Sequence, residues 1–242
     1  GITDMFDGVN ETHFASEKIV RELSKKERLE GEKETLGLYL TGHPIEEYAD
    51  EIGGICRKRI AQLKPGRGKQ VVAGLIVSSR TRRSRNGGGM AFVVLDDRSG
   101  RIEASIFGDV YESYRSKLTK DSIVFVEGEV QSSEYNQILK LRAERVFDIL
   151  EARHRYFAVV EIALEDDDFR DDVPSRLKQR LTPHISNGCV VSIRYRSPEA
   201  AGRITLSDEW RVSPTDELLL SLRQEFGSQA VSMKYDLPRK FA

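Results

Sequence analysis

The stretch QVVAGLIVSSRTRRSRNGGGMAFVVLDDRSGRIEASIF, Gln70–Phe107, decides how the rest of the chain reads. Its first run is apolar and β-branched on both alternating faces before it turns polar and basic, as a strand in a small barrel does. Asn86, Gly87, Gly88 and Gly89 then break it, because such residues accept positive φ and reverse a chain at low cost. A second strand, MAFVVLDD from Met90, ends in the turn Asp97, Arg98, Ser99, Gly100. In the third, Ile102, Ala104 and Ile106 alternate with Arg101, Glu103 and Ser105, so one face points to a core and the other to water.

Working outward, Val110, Tyr114 and Leu118 recur every fourth residue over a short helix, Asp109 to Leu118, suited to plug one end of a barrel. Two strands follow, SIVFVEGEV from Ser122 and QILKLRAERVFDI from Gln137. Three strands, a helix and two strands is the order of a five-stranded OB-fold barrel, whose first-to-second and fourth-to-fifth loops border oligonucleotides. Here those loops run about Arg80 to Gly89 and Gln131 to Asn136. The first carries Arg80, Arg82, Arg83 and Arg85, and the last strand turns Lys140 and Arg142 outward. Cations beside exposed strands suit phosphate tracking, since each contact releases condensed counterions. Phe92, Phe107 and Tyr135 are the candidate base platforms, each contributing about 1–3 kcal/mol where a base stacks. The competing reading puts the aromatics, Phe92 above all, into the filling of the barrel and leaves the arginines merely solvated. Single-stranded nucleic acid is the implied ligand.

The 242 residues, 39% of them hydrophobic, suffice for one large domain or two small ones with cores of their own. A formal net charge of -1 makes the basic loop a local feature and not part of a generally basic coat. Cys56 and Cys189 lie far apart and form no metal or disulfide pattern, which points to a reducing cytoplasm. No apolar run reaches the length of a membrane span and no signal peptide opens the chain, so no membrane partner is expected. Asp166, Asp167 and Asp168, like Asp171 and Asp172, are consecutive loop residues and do not converge on one point as two-metal catalysis requires. Without a nucleophile elbow, a metal-binding histidine pair or a nucleotide loop, no catalytic residue, metal or cofactor is expected. The opening Gly1, on a polar segment with no core of its own, reads as a piece of a longer chain.

Four segments follow: a flexible tail 1–33, a helical segment and basic linker 34–69, the barrel 70–149 and a small α/β domain 150–242. In the tail a solvated helix is expected around Ser16 to Glu30, and the apolar pair Met5 and Phe6 suits a peptide hook for a partner's groove. From Glu34, the residues Leu36, Leu38, Leu40, Ile45 and Tyr48 predict a helix, a turn at Gly42 and Pro44, and a second helix. His43 in that turn reads as a hydrogen-bonder, with no second ligand at metal spacing. Lys64 to Lys69 is basic and glycine-rich, yet it lacks the Lys-Ser/Thr ending of a nucleotide loop and precedes a strand where that motif needs a helix.

In the last segment FAVVEIAL from Phe157, GCVVSIRYR from Gly188, RITLS from Arg203 and VSMKY from Val231 read as strands. A helix from Pro174 to Leu181 starts at an Asp171 or Asp172 cap, and another starts at Ser213 with Pro214 in its first turn. Leu218, Leu222 and Phe226 give that second helix a core face. Leu219 and Leu220 widen the stripe beyond what a core needs, and Trp210 precedes it; these three are the partner-binding candidates.

Three runs, LGLYLTGHP (Leu36–Pro44), LDDRSGRIE (Leu95–Glu103) and DEWRVSPTDELLLSLR (Asp208–Arg223), resemble the C-terminal part of the bacterial DNA polymerase III alpha-subunit family. The resemblance covers essentially the whole chain. It implies a barrel that binds single-stranded template DNA, a following domain that contacts the tau subunit of the clamp loader, and a short peptide that binds the sliding clamp. That peptide is Gln-x-Asp-Met/Leu-Phe in the family; Asp4, Met5 and Phe6 match its last three positions, while Ile2 replaces the glutamine and weakens the contact. The family's catalytic carboxylates lie upstream of Gly1, so the implied role is template binding and docking within a DNA-directed DNA polymerase during DNA replication. Two other classes compete: an RNA-binding barrel such as the anticodon-binding module of a tRNA synthetase, and a protein-interaction platform whose barrel binds no nucleic acid.

Overall fold

The computed structural model describes residues 25–36, 39–66, 68–83, 88–132, 138–156, 158–165 and 172–235. Arg85, Tyr135, the tail residues Asp4, Met5 and Phe6, and the aspartates from 166 to 171 lie outside the described residues. The chain divides into two compact units, one ending at His43 and one beginning at Pro44.

In the first unit α1 spans Lys25–Leu36. One helix thus replaces the expected break between Glu30 and Glu34. A lone Gly31 costs a helix only about 1 kcal/mol relative to alanine, too little to end it without a proline or a cap. Past its end the Glu32 carboxylate accepts from the backbone N–H of Leu40 (2.7 Å) and Thr41 (3.0 Å) and from the Thr41 hydroxyl (2.6 Å). The segment around Leu40 is therefore a tied turn and not the continuation of a helix.

The second unit opens with a 3-10 turn, Pro44–Tyr48, and α2, Ala49–Ile55. The barrel follows: β1 Lys69–Arg83, β2 Gly89–Asp96, β3 Arg101–Phe107, α3 Gly108–Tyr114, β4 Ile123–Ser132 and β5 Leu139–Phe147. It closes in the order β1-β2-β3-β5-β4, with β3 and β5 parallel and every other pair antiparallel. Closure removes the free strand edges a five-stranded sheet would otherwise expose. The alternation read in β3 holds: Ile102, Ala104 and Ile106 enter the interior with Val72, Val93, Leu95, Val126 and Leu141, and Val110 and Tyr114 of α3 pack against them. The LDDRSG turn does more than reverse the chain. Asp97, 2% exposed, accepts from Ser99 N, Ser99 Oγ and Gly100 N, and its other oxygen accepts from Ile60 N at 2.9 Å, fastening the upstream segment to the barrel.

A capping box that the sequence reading passed over starts α4, Ile149–Arg155: Asp148 accepts from Glu151 N and Glu151 accepts from Asp148 N. The second domain then runs β6 Ala158–Glu165, α5 Val173–Leu181, β7 Ile185–Arg196, β8 Ala201–Thr205, α6 Asp216–Phe226 and β9 Val231–Tyr235. Its sheet order is β8-β7-β6-β9, with α5 in the crossover between the parallel strands β6 and β7. Asp172 caps α5 as expected. The start of α6 differs: Thr215, not Ser213, is the N-cap, and its hydroxyl accepts from Leu218 N. Ser213 instead donates its N–H to His184 O, and the Pro214 carbonyl serves Arg153, which holds both residues extended outside the helix.

A third core joins the domains. Ile45, Ile52, Ile55 and Cys56 pack with Ala73, Phe125 and Phe147 of the barrel and with Ala152 and Tyr156. Beside it, the guanidinium of Arg153, 1% exposed, grips Glu51 through two bonds of 2.8 and 2.7 Å and donates to Pro214 O at 2.6 Å. Asp216 stands 2.9 Å from the same guanidinium and accepts from the Tyr48 hydroxyl at 2.8 Å, while the Tyr235 hydroxyl donates to Glu51. Burial, reinforced by these carboxylates, pushes both phenols well above their ordinary value of 10.0. A raised acid favours the folded state while protonated, so its contribution is complete below about pH 10 and is lost as the unfolded chain's phenols ionise above it. Urea melts from pH 9 to 11.5 should show stability falling from about pH 10 upward, with Tyr48→Phe and Tyr235→Phe each flattening the fall.

Candidate nucleic-acid interface

The pleat turns alternate side chains outward, and the strand registers set those side chains in rows around the barrel. One row runs from Arg80 on β1 to Phe92 on β2, Ser105 on β3 and Arg142 on β5. A second, beside it, holds Arg82, Met90 and Phe107. A third includes Val94, Glu103 and Lys140. Phe92 and Phe107 meet edge to face, with centroids 5.9 Å apart, and Phe107 is 42% exposed. Phe92 therefore lies half-buried on the outer surface, not in the filling of the barrel. The result is an aromatic pair with arginines on both sides, spread over four strands.

The cations are not equivalent. Glu103 takes Arg80 at 3.3 Å through one oxygen and Lys140 at 3.1 Å through the other, so these two are partly neutralised in place. Arg82 and Arg83 border a depression of about 490 Å3 with Tyr111 and Arg115, and Arg142 borders another of about 440 Å3 with Phe107. Neither Arg82, Arg83 nor Arg142 forms an ion pair with a described residue, which leaves their charge available to a phosphate. Glu103 and Tyr111 belong to the site although the sequence reading did not select them. Alternation alone marked Glu103 as outward, but only the parallel β3–β5 pairing puts it opposite Lys140.

The partner-binding candidates separate. Leu219 is 1% exposed and belongs to the core of the second domain with Leu218, Leu222 and Phe226, so it is not a surface contact. α6 presents two adjacent leucines inward because it packs against both the sheet and α5, a wider arc than one stripe. Leu220 points outward, 53% exposed. Trp210, in a 3-10 turn at Asp208–Trp210, lines an apolar groove of about 580 Å3 with Leu177, Lys178, Tyr195 and Ile204. No group of three metal-ligating side chains converges among the described residues, and no helix among them is long and apolar enough to cross a membrane.

The match to known proteins follows the same division. Residues 70–149 match the family model described as OB-fold nucleic acid binding domain, and residues 176–227 match that of DNA polymerase III subunit alpha, C-terminal domain. The chain is 42% identical to DNA polymerase III subunit alpha of Pseudomonas aeruginosa and 41% identical to that of Pseudomonas fluorescens, in each case over 97% of its own length and 20% of the relative's. It is 41% identical to the Escherichia coli K12 subunit over 86% of its length, 18% of that protein. The chain thus spans about a fifth of the curated relatives it matches. The two matched domains, joined by identity along nearly all 242 residues, make this chain a member of the DNA polymerase III alpha-subunit family.

Proposed function

We propose that this region gives a replicative, DNA-directed DNA polymerase its grip on single-stranded template, and that it carries docking surfaces for other replication subunits. The observation that carries the first part is the outward face of β1, β2, β3 and β5, where Phe92 and Phe107 lie between Arg80 and Arg82 on one side and Arg142 on the other. Aromatic faces accept any base, and flanking cations track the backbone without reading sequence, which is what a template guide needs. The second domain would dock the tau subunit of the clamp loader through the groove at Trp210 and the exposed Leu220, and the segment holding Asp4, Met5 and Phe6 would give a weakened contact to the sliding clamp. Both contacts, and a cytoplasmic setting, rest on the family resemblance together with these surfaces.

Anisotropy of labelled oligo-dT and of the matching duplex, over a range of salt, tests the first part. The single strand should bind in preference to duplex. Arg82→Glu with Arg142→Glu should weaken it at least tenfold and make the log-log salt slope shallower by about 1.4, at about 0.7 for each lost phosphate contact. Phe107→Ala should cost about 1–3 kcal/mol of binding free energy with little change in slope. No binding at low salt would leave the barrel as a docking platform instead.

A further inference from the structure

We propose that a second phosphate site lies between the segment after α2 and the start of β1, and that it holds a phosphodiester of a strand already lying on the barrel's outer face. The inference rests on the template-binding reading and extends it around the barrel. A depression of about 300 Å3 there is bordered by Arg57, Lys58 and Lys69, with Leu63, Val71 and Tyr156 among its walls. Three cations from two separate segments face one space; the one carboxylate that meets any of them is Glu144, paired to Lys69. Gly68 borders the same space, and nothing lies within 4 Å of where its Cβ would stand, so the backbone beside Lys69 is open to a ligand. Tyr156 is 1% exposed and its hydroxyl has no hydrogen-bond partner among the described residues. Burial lifts that phenol to about 12, which keeps it a donor, fit for an anion, at neutral pH.

The registers connect this depression to the barrel face. Arg142 pairs with Glu129 on β4, and Glu129 pairs with Lys69 on β1, so the row through Arg80, Phe92, Ser105 and Arg142 continues around the closed barrel to Lys69. Two strand spacings, about 10 Å, separate Arg142 from Lys69. The basic, glycine-rich linker before β1 has the composition of a phosphate loop without the helix such a loop needs. Here the missing charges come from Arg57 and Lys58, brought alongside by the third core. Glu129 sits midway along the path and opposes it.

The test uses fluorescein-labelled oligo-dT of about 6 and about 14 nucleotides, within the range of one OB-fold. In the triple variant Arg57→Gln, Lys58→Gln, Lys69→Gln, the longer strand should lose about tenfold in affinity and its salt slope should become shallower by about 2, three contacts at about 0.7 each. The shorter strand should bind as before, the melting temperature should hold, and Glu129→Gln should tighten the longer strand alone. An unchanged longer strand in the triple variant, with binding still sensitive to Arg82→Glu and Arg142→Glu, overturns the second site and leaves the barrel reading intact. If neither strand binds the unaltered chain, the barrel reading falls and the strand path with it. Amide NMR shifts at Gly68, Lys69 and Gln70 on adding pyrophosphate, without any oligonucleotide effect, would assign the depression to a free phosphate and overturn the phosphodiester.

Discussion

Replacing Arg153 by methionine should lower the free energy of unfolding by about 3–5 kcal/mol, the penalty of leaving a buried charge without its partner. Methionine fills much of the same volume, so the loss falls on the polar groups left behind. Glu51 would keep its carboxylate in a site where its own residue is 8% exposed, and the Pro214 carbonyl would lose its 2.6 Å donor. Asp216 would lose its cation but stays partly exposed and able to hydrate, so it contributes less. Chemical denaturation followed by circular dichroism measures the effect, read as a lower midpoint at constant slope. The double variant Glu51→Gln, Arg153→Met should be more stable than the sum of the two single losses, because it removes the stranded charge along with its partner. A loss below about 1 kcal/mol for Arg153→Met would mean that water reaches Glu51 and that the network stabilises little.

Gly128→Ala should be about as damaging, costing about 3 kcal/mol or more, although it adds a single methyl group. Gly128 lies at the irregularity where β4 shifts register against β5. A Cβ there would press into the Arg142 carbonyl oxygen and stand 2.9 Å from its carbon and 3.1 Å from Ala143 Cα. These are backbone atoms of a paired strand, so relief requires the two strands to separate. Separation would move Arg142 out of its row, and single-strand affinity should fall together with stability. A thermal melt and the oligo-dT titration on one preparation check both, and an alanine variant with unchanged melting would show that the strands already have slack at this bulge.

The barrel was legible because its strands obey a period of two and are punctuated by glycine, asparagine and aspartate, local signals that need no partner. Arg82, Phe107 and Arg142 were selected on chemistry alone, and their assembly on one face rests on registers that no single strand encodes. Phe92 was harder, since an aromatic at a strand centre fits either face until the alternation of Ala91, Val93 and Leu95 into the core assigns it to the other. The role of Glu103 depends on a parallel pairing between strands about 35 residues apart in sequence, beyond any local pattern. Leu219 was misjudged because a one-stripe view of a helix ignores a second neighbour, here α5. α4, by contrast, announced itself through Asp148 and Glu151, a capping-box spacing readable without any structure.

The hydrogen bond from Tyr235 to Glu51 spans 184 residues of sequence. A ribosome reaches Glu51 long before Tyr235, so α2 must wait, its carboxylate only partly matched, until the last described strand has emerged. Domains made early in synthesis can fold as they appear, but this contact ties the beginning of the unit to its end. Loss of β9 to a premature stop would therefore weaken the segment in front of the barrel as well as the sheet it edges.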